Sequence, residues 1–345
     1  MQAVCPEITL RHVPLVRAAH FNNYLAVLRD TGVPFWDRLH SAGLPSTTEE
    51  FPDLYLSMPR VLDCVVANGG ASSAMELGFL AAQRATLESL RPEFQRAILS
   101  APSGLARLQT LIRYGKGEDT SVFCGIYPEG TSVRVVCELS GFERSPALVC
   151  TEWLNVQAVV SIVRSLAGAT WFPEEITFVS GLAPHDAALE AFPNTRMLIS
   201  QAHTSVLVPR DLLAAPCSAI EGTETEGRVE TKVTHQASDS INTIREIVKP
   251  YLGDKPLLIS ELAEIFGTSE RTLQRHLCRM GTNYSQLVAE ARYQLACGML
   301  ENADVKIMDV AFAAGYQNPS HFSRAFRRFS GLSPIEYRMS AQARS

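Results

Sequence analysis

Two folding units in series are predicted for this 345-residue chain. The first is an α+β domain over residues 1–213, and the second an all-α domain over 241–345 with two helix-turn-helix units joined by a long helix; residues 214–240 form a linker. Three observations carry this expectation. Alternation with period two is confined to the N-terminal region, the last hundred or so residues show only helical periodicity, and the stretch from Ala214 to Gln236 is rich in Thr and Glu with little periodicity of either kind.

In the N-terminal region, Val13 to Asp30 reads as a helix with Leu15, Ala18, Phe21, Leu25 and Leu28 on its apolar face, closed by Thr31-Gly32. Further helical segments are expected at Phe35–Ala42, Pro59–Asn68, Ala74–Ala85 and Pro92–Ala97. A hairpin follows, with arms from Val122 to Tyr127 and Val133 to Leu139 around a turn at Pro128-Glu-Gly. Glu152 to Leu166 reads as a helix, and Glu175–Val179, Thr195–Ile199 and Ser205–Val208 as short strands.

In the C-terminal region the same layout is written twice. Ala263 and Gly267 recur as Ala311 and Gly315 at an offset of 48, while Leu273, Arg275 and Leu277 recur as Phe322, Arg324 and Phe326 at an offset of 49. In the first copy Ile259, Leu262, Ala263 and Phe266 form the buried stripe of a short helix, and Ser269 caps the next one. That second helix turns Leu273, Leu277 and Met280 inward and Arg271, Gln274, Arg275 and Cys278 outward. In the second copy Asn318 is the cap and Pro319 takes the first helical position. Phe322, Phe326 and Phe329 face inward, with Ser320, Ser323, Arg324 and Arg327 opposite. Between the copies, Tyr284 to Leu300 reads as a connecting helix with Leu287, Ala291, Leu295 and Met299 on one face.

A single such pattern also describes two ordinary packed helices. Two in register are specific, and the outward residue types suit base edges. Arg bonds guanine O6 and N7 with two donors, and Gln pairs with adenine N6 and N7, each worth about 1–3 kcal/mol of discrimination. Two such helices read successive major grooves roughly 34 Å apart.

The stretch from Gly315-Tyr-Gln-Asn-Pro-Ser-His-Phe-Ser-Arg-Ala-Phe to Arg338 resembles the signature of the AraC/XylS family of bacterial transcription regulators, and the likeness extends from about Ile241. By that resemblance, base contacts fall on Arg271, Gln274 and Arg275 in the first unit and on Pro319, Ser320, Ser323 and Arg324 in the second, with Arg327 and Arg328 on phosphates. Residues Val13 to Leu213 resemble, more loosely, the arabinose-binding and dimerisation type of N-terminal domain, through Gly32-Val-Pro, Trp171-Phe-Pro-Glu-Glu-Ile and Val208-Pro-Arg-Asp-Leu-Leu; the family's Phe-Gly near Phe192 is here Phe-Pro-Asn. The resemblance implies a sensor/dimerisation domain and a regulator, by family tendency an activator. Its partners would be double-stranded promoter DNA, an unidentified small-molecule effector of the carboxylate or fatty-acid class, a second copy of the chain, and RNA polymerase. A ligand-independent DNA-binding dimer and an enzyme domain fused to a DNA reader are the alternatives.

Arg134 and Trp171 are the candidate effector contacts, against the alternatives of a solvent-facing charge and a core indole. His276 and His321 read as surface residues, lacking partners at metal-ligand spacing. The sequence contains no G-x-S-x-G, H-E-x-x-H, P-loop or G-x-G-x-x-G pattern, so His12, His20, His40, His185 and His203 read as structural or surface histidines, and neither a catalytic residue, a metal nor a cofactor is expected. The eight cysteines include no C-x-x-C pair and read as buried thiols; Cys278, on an outward helix face, is the one with a redox possibility.

Hydrophobic residues make up 46% of the chain and charged residues 19%, the balance of a globular protein rather than a disordered one. No apolar run is long enough to span a bilayer and no basic leader precedes an apolar segment, so a cytoplasmic location without membrane contact is expected. The net charge of −5 argues against nucleic acid until it is divided. From Ile241 onward there are 13 Lys and Arg against 10 Asp and Glu, and the remainder carries 18 against 26. The basic excess therefore belongs to the C-terminal module, carried by an acidic partner domain.

Overall fold

The computed structural model describes residues 14–142, 145, 147–217, 236–253 and 256–342. Two compact units emerge, one from Pro14–Leu44 with Leu56–Arg228, the other from the segment beginning at Val229 together with Pro45–Tyr55. Most of the expected linker, and His12 and Cys5, lie outside the described residues.

The first unit opens with β1 (Leu15–Arg17), α1 (Ala18–Asp30), α2 (Trp36–Ser41) and β2 (Tyr55–Ser57). Helices α3 (Met58–Arg84), α4 (Pro92–Leu99) and α5 (Gly104–Gly115) follow, then the hairpin β3 (Val122–Glu129) and β4 (Ser132–Leu139), and α6 (Leu148–Ala167). The unit closes with β5 (Glu175–Thr177), α7 (Asp186–Ala191), β6 (Arg196–Leu198), β7 (Thr204–Pro209) and α8 (Arg210–Ala214). β1 pairs with β2, and the other strands form one sheet in the order β3-β4-β7-β5-β6, antiparallel except for the parallel β5 and β6.

Several expectations are corrected by these elements. Leu15 to Arg17 are strand rather than the first turn of a helix: all three are buried, and Leu15 and Arg17 give their amides to Thr120 Oγ1 and Glu118 O. The two helices expected around Asn68 are a single helix, α3, which runs through Gly69-Gly70. Packing of long helices outweighs the local cost of about 1 kcal/mol per helical glycine. At Gly78 this packing is so close that a Cβ would lie 2.6 Å from the Cys150 carbonyl oxygen on α6. The hairpin turn is Gly130-Thr131 and not Pro128-Glu-Gly, because β3 is an edge strand and Pro128 has no neighbour that needs its missing N–H. Helix α5, capped by Ser103 Oγ on the Ala106 amide, was not anticipated.

The core of this unit centres on Trp153 of α6, 1% exposed, whose ring meets those of Phe79, Phe178 and Phe192 at centroid distances of 5.0, 4.8 and 5.9 Å. Such pairs add about 0.5–1.5 kcal/mol each beyond area burial. Next to it, Glu152 is buried, and its Oε1 accepts from the Val179 amide at 2.6 Å and the Thr204 hydroxyl at 2.5 Å. Burial raises the Glu152 carboxyl above its ordinary range against the pull of those hydrogen bonds.

The second unit is helical: α9 (Gln236–Val248), α10 (Ile259–Ile265), α11 (Glu270–Arg279), α12 (Tyr284–Glu301), α13 (Ile307–Ala313), α14 (Pro319–Ser330) and α15 (Pro334–Gln342). α12 packs on α9 near its start and on α13 and α15 near its end. Its buried residues are Leu287, Ala291, Ala296 and Leu300, so the single stripe expected through Leu295 and Met299 is wrong in its second half. Leu287 and Ala296 are nine residues apart, roughly two and a half turns, and therefore lie on opposite sides of the helix. The Ala296 and Leu300 side joins the core of the second helix-turn-helix, with Val310, Ala311, Phe322 and Phe326.

Candidate nucleic-acid interface

The duplication seen in the sequence is a duplication of structure. Ala263 and Ala311 are buried at 2% and 0%, and the turns after them pass through Gly267 at φ +59° and Gly315 at φ +76°. Ser269 Oγ then accepts from the Thr272 amide at 3.3 Å, and Asn318 Oδ1 from the Ser320 amide at 2.8 Å, so each second helix begins with a side-chain cap. Leu273 and Leu277 in α11, like Phe322 and Phe326 in α14, are buried and hold the helices in the same way. Phe329 departs from the expected stripe: it is 44% exposed, stacked on Tyr293 at 5.3 Å. Ile259 and Phe266 are half-buried at the edge of the first copy.

With the inner faces fixed, the outer faces follow. Arg271, Gln274 and Arg275 are all exposed on α11, as is Cys278. On α14, Ser320, Arg324, Arg327 and Arg328 are exposed, while Pro319 and Ser323 are half-buried. Gln274 donates to Glu270 Oε1 at 2.9 Å, a surface hydrogen bond that must be exchanged before its amide can meet a base. His276 is half-buried instead of lying on the surface; burial, and then the charge of Arg279, depress its pKa.

Two anchors of this scaffold escaped the sequence reading. Arg338, the last residue of the repeated signature, donates to the carbonyls of Leu300 and Ala303 at 3.3 Å and of Val305 at 2.6 Å, tying α15 to the turn that leaves α12. Arg245 on α9 pairs with Glu290 on α12. No periodicity marks either residue, since both act through the far ends of long side chains.

A family profile described as "Helix-turn-helix domain" matches residues 262–340, the span from α10 to α15. This C-terminal domain is an AraC-type helix-turn-helix domain. Over 98 residues, 28% of its length, the chain is 34% identical to the ornithine utilization regulator of Pseudomonas aeruginosa, covering 29% of that protein. Over 116 residues, 33% of its length, the chain is 32% identical to the transcriptional activator NphR of Rhodococcus sp, covering 34% of that protein. The chain thus matches about a third of the length of these curated relatives. A crystal structure of the transcriptional regulator CdpR from Pseudomonas aeruginosa aligns over 93% of the chain and 96% of its own, with a TM-score of 0.41 and 20% identity.

The first unit contains a cavity of about 450 Å³, walled by α1, α3, α5, α6 and the β3–β4 hairpin. Phe21, Leu62, Phe94, Leu111, Leu139 and Leu154 make most of it apolar, and His20, Glu118 and Asp119 supply a polar corner. There Glu118 is gripped by Arg17 at 2.6 Å and His20 at 2.9 Å; burial opposes its charge, but these partners hold its carboxyl below the usual range. Burial pushes Asp119 up to about 6, against hydrogen bonds from the Ser121 and Val122 amides.

Arg134 and Trp171 do not line this cavity. Arg134 instead bonds Glu129 at 2.6 and 2.8 Å, Ser205 at 2.9 Å and Glu175 at 2.8 Å, a strut from β3 across β4 and β7 to β5. Trp171 is half-buried, its carbonyl accepting from Arg164 Nε at 3.0 Å. Among the described residues no helix is long and apolar enough to cross a membrane.

Proposed function

We propose that the chain is a sequence-specific transcription regulator, an activator, that reads a bipartite promoter site. The observation that carries this reading is the pair of capped helices whose exposed faces present Arg271, Gln274 and Arg275 in one copy and Ser320 and Arg324 in the other. Pro319 and Ser323 complete the second reading face, and Arg327 and Arg328 sit on phosphates. Pro319 has no polar group to offer a base, so the second box is read less strictly than the first.

Residues 1–213 are the sensing and dimerisation region and 241–345 the reader, joined by the 214–240 linker, whose last residues from Gln236 already belong to α9, with RNA polymerase as the downstream partner. The cavity of about 450 Å³ is the seat of the effector, and its lining favours an apolar body with one polar group directed at the His20, Glu118 and Asp119 corner. A compound of that kind present at a hundred times its Kd is expected to stabilise the folded protein by about 2.7 kcal/mol. A thermal-shift screen of small amphiphiles tests this; absence of any stabilising compound favours a ligand-independent dimer.

The DNA reading is tested by selecting bound sequences from a random pool with the full-length protein. Two short boxes about one helical turn apart are expected. Arg275→Ala should cost about 1–3 kcal/mol and relax one base pair, whereas Arg328→Ala should weaken all sequences alike and lower the salt slope by about 1. The reverse pattern would mean that the two side chains have exchanged roles.

A further inference from the structure

Cys124 and Cys137 occupy opposite arms of the β3–β4 hairpin, each six residues from the Gly130-Thr131 turn, and the register pairs them directly. Opposed residues alternate between hydrogen-bonded and non-hydrogen-bonded sites. Pro128, with no N–H, fixes the Pro128–Val133 pair as non-hydrogen-bonded, and Cys124–Cys137, four residues further, falls on the same alternate. Such pairs have Cα atoms about 4.5 Å apart, inside the range a disulfide accepts. The two sulfurs are already 3.3 Å apart, and both side chains line the cavity, so a small reagent in the cavity reaches them.

We propose that Cys124 and Cys137 are a redox-active dithiol, which a two-electron oxidant of the hydroperoxide class converts to a cross-strand disulfide in the cavity wall. In the first step the Cys124 thiolate attacks the distal peroxide oxygen. An S–O bond forms, the O–O bond breaks, and the alcohol or water leaves with the proton. In the second step the Cys137 sulfur attacks the sulfenic sulfur; the S–S bond forms, the S–O bond breaks, and water leaves. Two thiols are oxidised by two electrons and one peroxide is reduced.

The roles are asymmetric for a physical reason. The hydrogen bond between the two thiols lowers the Cys124 pKa against the effect of burial, and the same hydrogen bond, with burial, raises that of Cys137. Cys64 and Cys150 have no such partner among the described residues, and burial pushes them up to about 11 and about 12. Cys150 also lines the cavity, but its raised pKa keeps it in the weakly nucleophilic thiol form.

The test uses the full-length protein exposed to hydrogen peroxide, alkylated, digested without reductant and mapped by mass spectrometry. A Cys124–Cys137 linked peptide, two hydrogens lighter than the dithiol, is expected roughly tenfold faster than any other cysteine pairing. In Cys137→Ser, dimedone should trap a sulfenic acid at Cys124, while Cys124→Ser should give no adduct at Cys137; melting curves verify that both near-isosteric variants fold. Recovery of both thiols alkylated from oxidised wild-type protein, or linkage only after denaturation, would overturn the proposal. The readout involves neither DNA nor an effector, so it stands or falls apart from the regulatory reading.

Discussion

Gly315→Ala is expected to unfold the C-terminal domain or leave it too unstable to bind DNA. Two effects add. At φ +76° an L-residue is strained by about 1–2 kcal/mol, and the new Cβ would lie 1.8 Å from the Leu252 carbonyl oxygen, a contact with backbone that no side-chain rotation relieves. Overpacking of this kind costs typically about 1–3 kcal/mol and can exceed it, against total domain stabilities of about 5–15 kcal/mol. Gly267 is the internal control. It holds the same place in the first copy at φ +59°, but a Cβ there meets nothing within 4 Å, so Gly267→Ala should show the conformational strain alone. Urea unfolding of both variants decides the matter; equal losses would show that the Leu252 contact does not constrain the turn.

Leu295→Pro should abolish DNA binding without altering any side chain that faces DNA. Proline in the interior of α12 removes one helical hydrogen bond and clashes with the Ala291 carbonyl, costing about 3 kcal/mol or more. Leu295 itself is only half-buried, so Leu295→Ala measures the smaller loss of packing. α12 supplies Ala296 and Leu300 to the core of the second helix-turn-helix and packs on α9 ahead of the first, so a kink between Ala291 and Ala296 changes the placement of one copy relative to the other. Native-like folding and unchanged affinity in the proline variant would refute the rigid spacer.

The sequence was most legible where spacing is repeated. The offsets of 48 and 49 identified both glycine turns and all four buried anchors Leu273, Leu277, Phe322 and Phe326, because a short helix has few ways to bury two residues a turn apart. It was less legible where distant contacts decide. Leu15 to Arg17 carry apolar residues compatible with helix or strand, and only their partners at β2, Glu118 and Thr120 make them a strand. The cavity is assembled from residues scattered between Val16 and Ala158, and no local pattern announces it. The cysteine pair lay within reach: once the turn is placed at Gly130-Thr131 instead of at Pro128, equal distance along the two arms identifies it.

The opposed burial of Leu287 and Ala296 makes α12 a protractor as well as a ruler. One residue inserted between Ala291 and Ala296 would lengthen the helix by only about 1.5 Å, but would turn one reader about the axis by about 100° relative to the other. Four inserted residues, close to a full turn, would nearly restore the angle while adding about 6 Å. On the proposed bipartite reading, the angular phase between the two DNA boxes is set by the number of residues in this helix, so box spacing and helix length would change together but hardly one at a time.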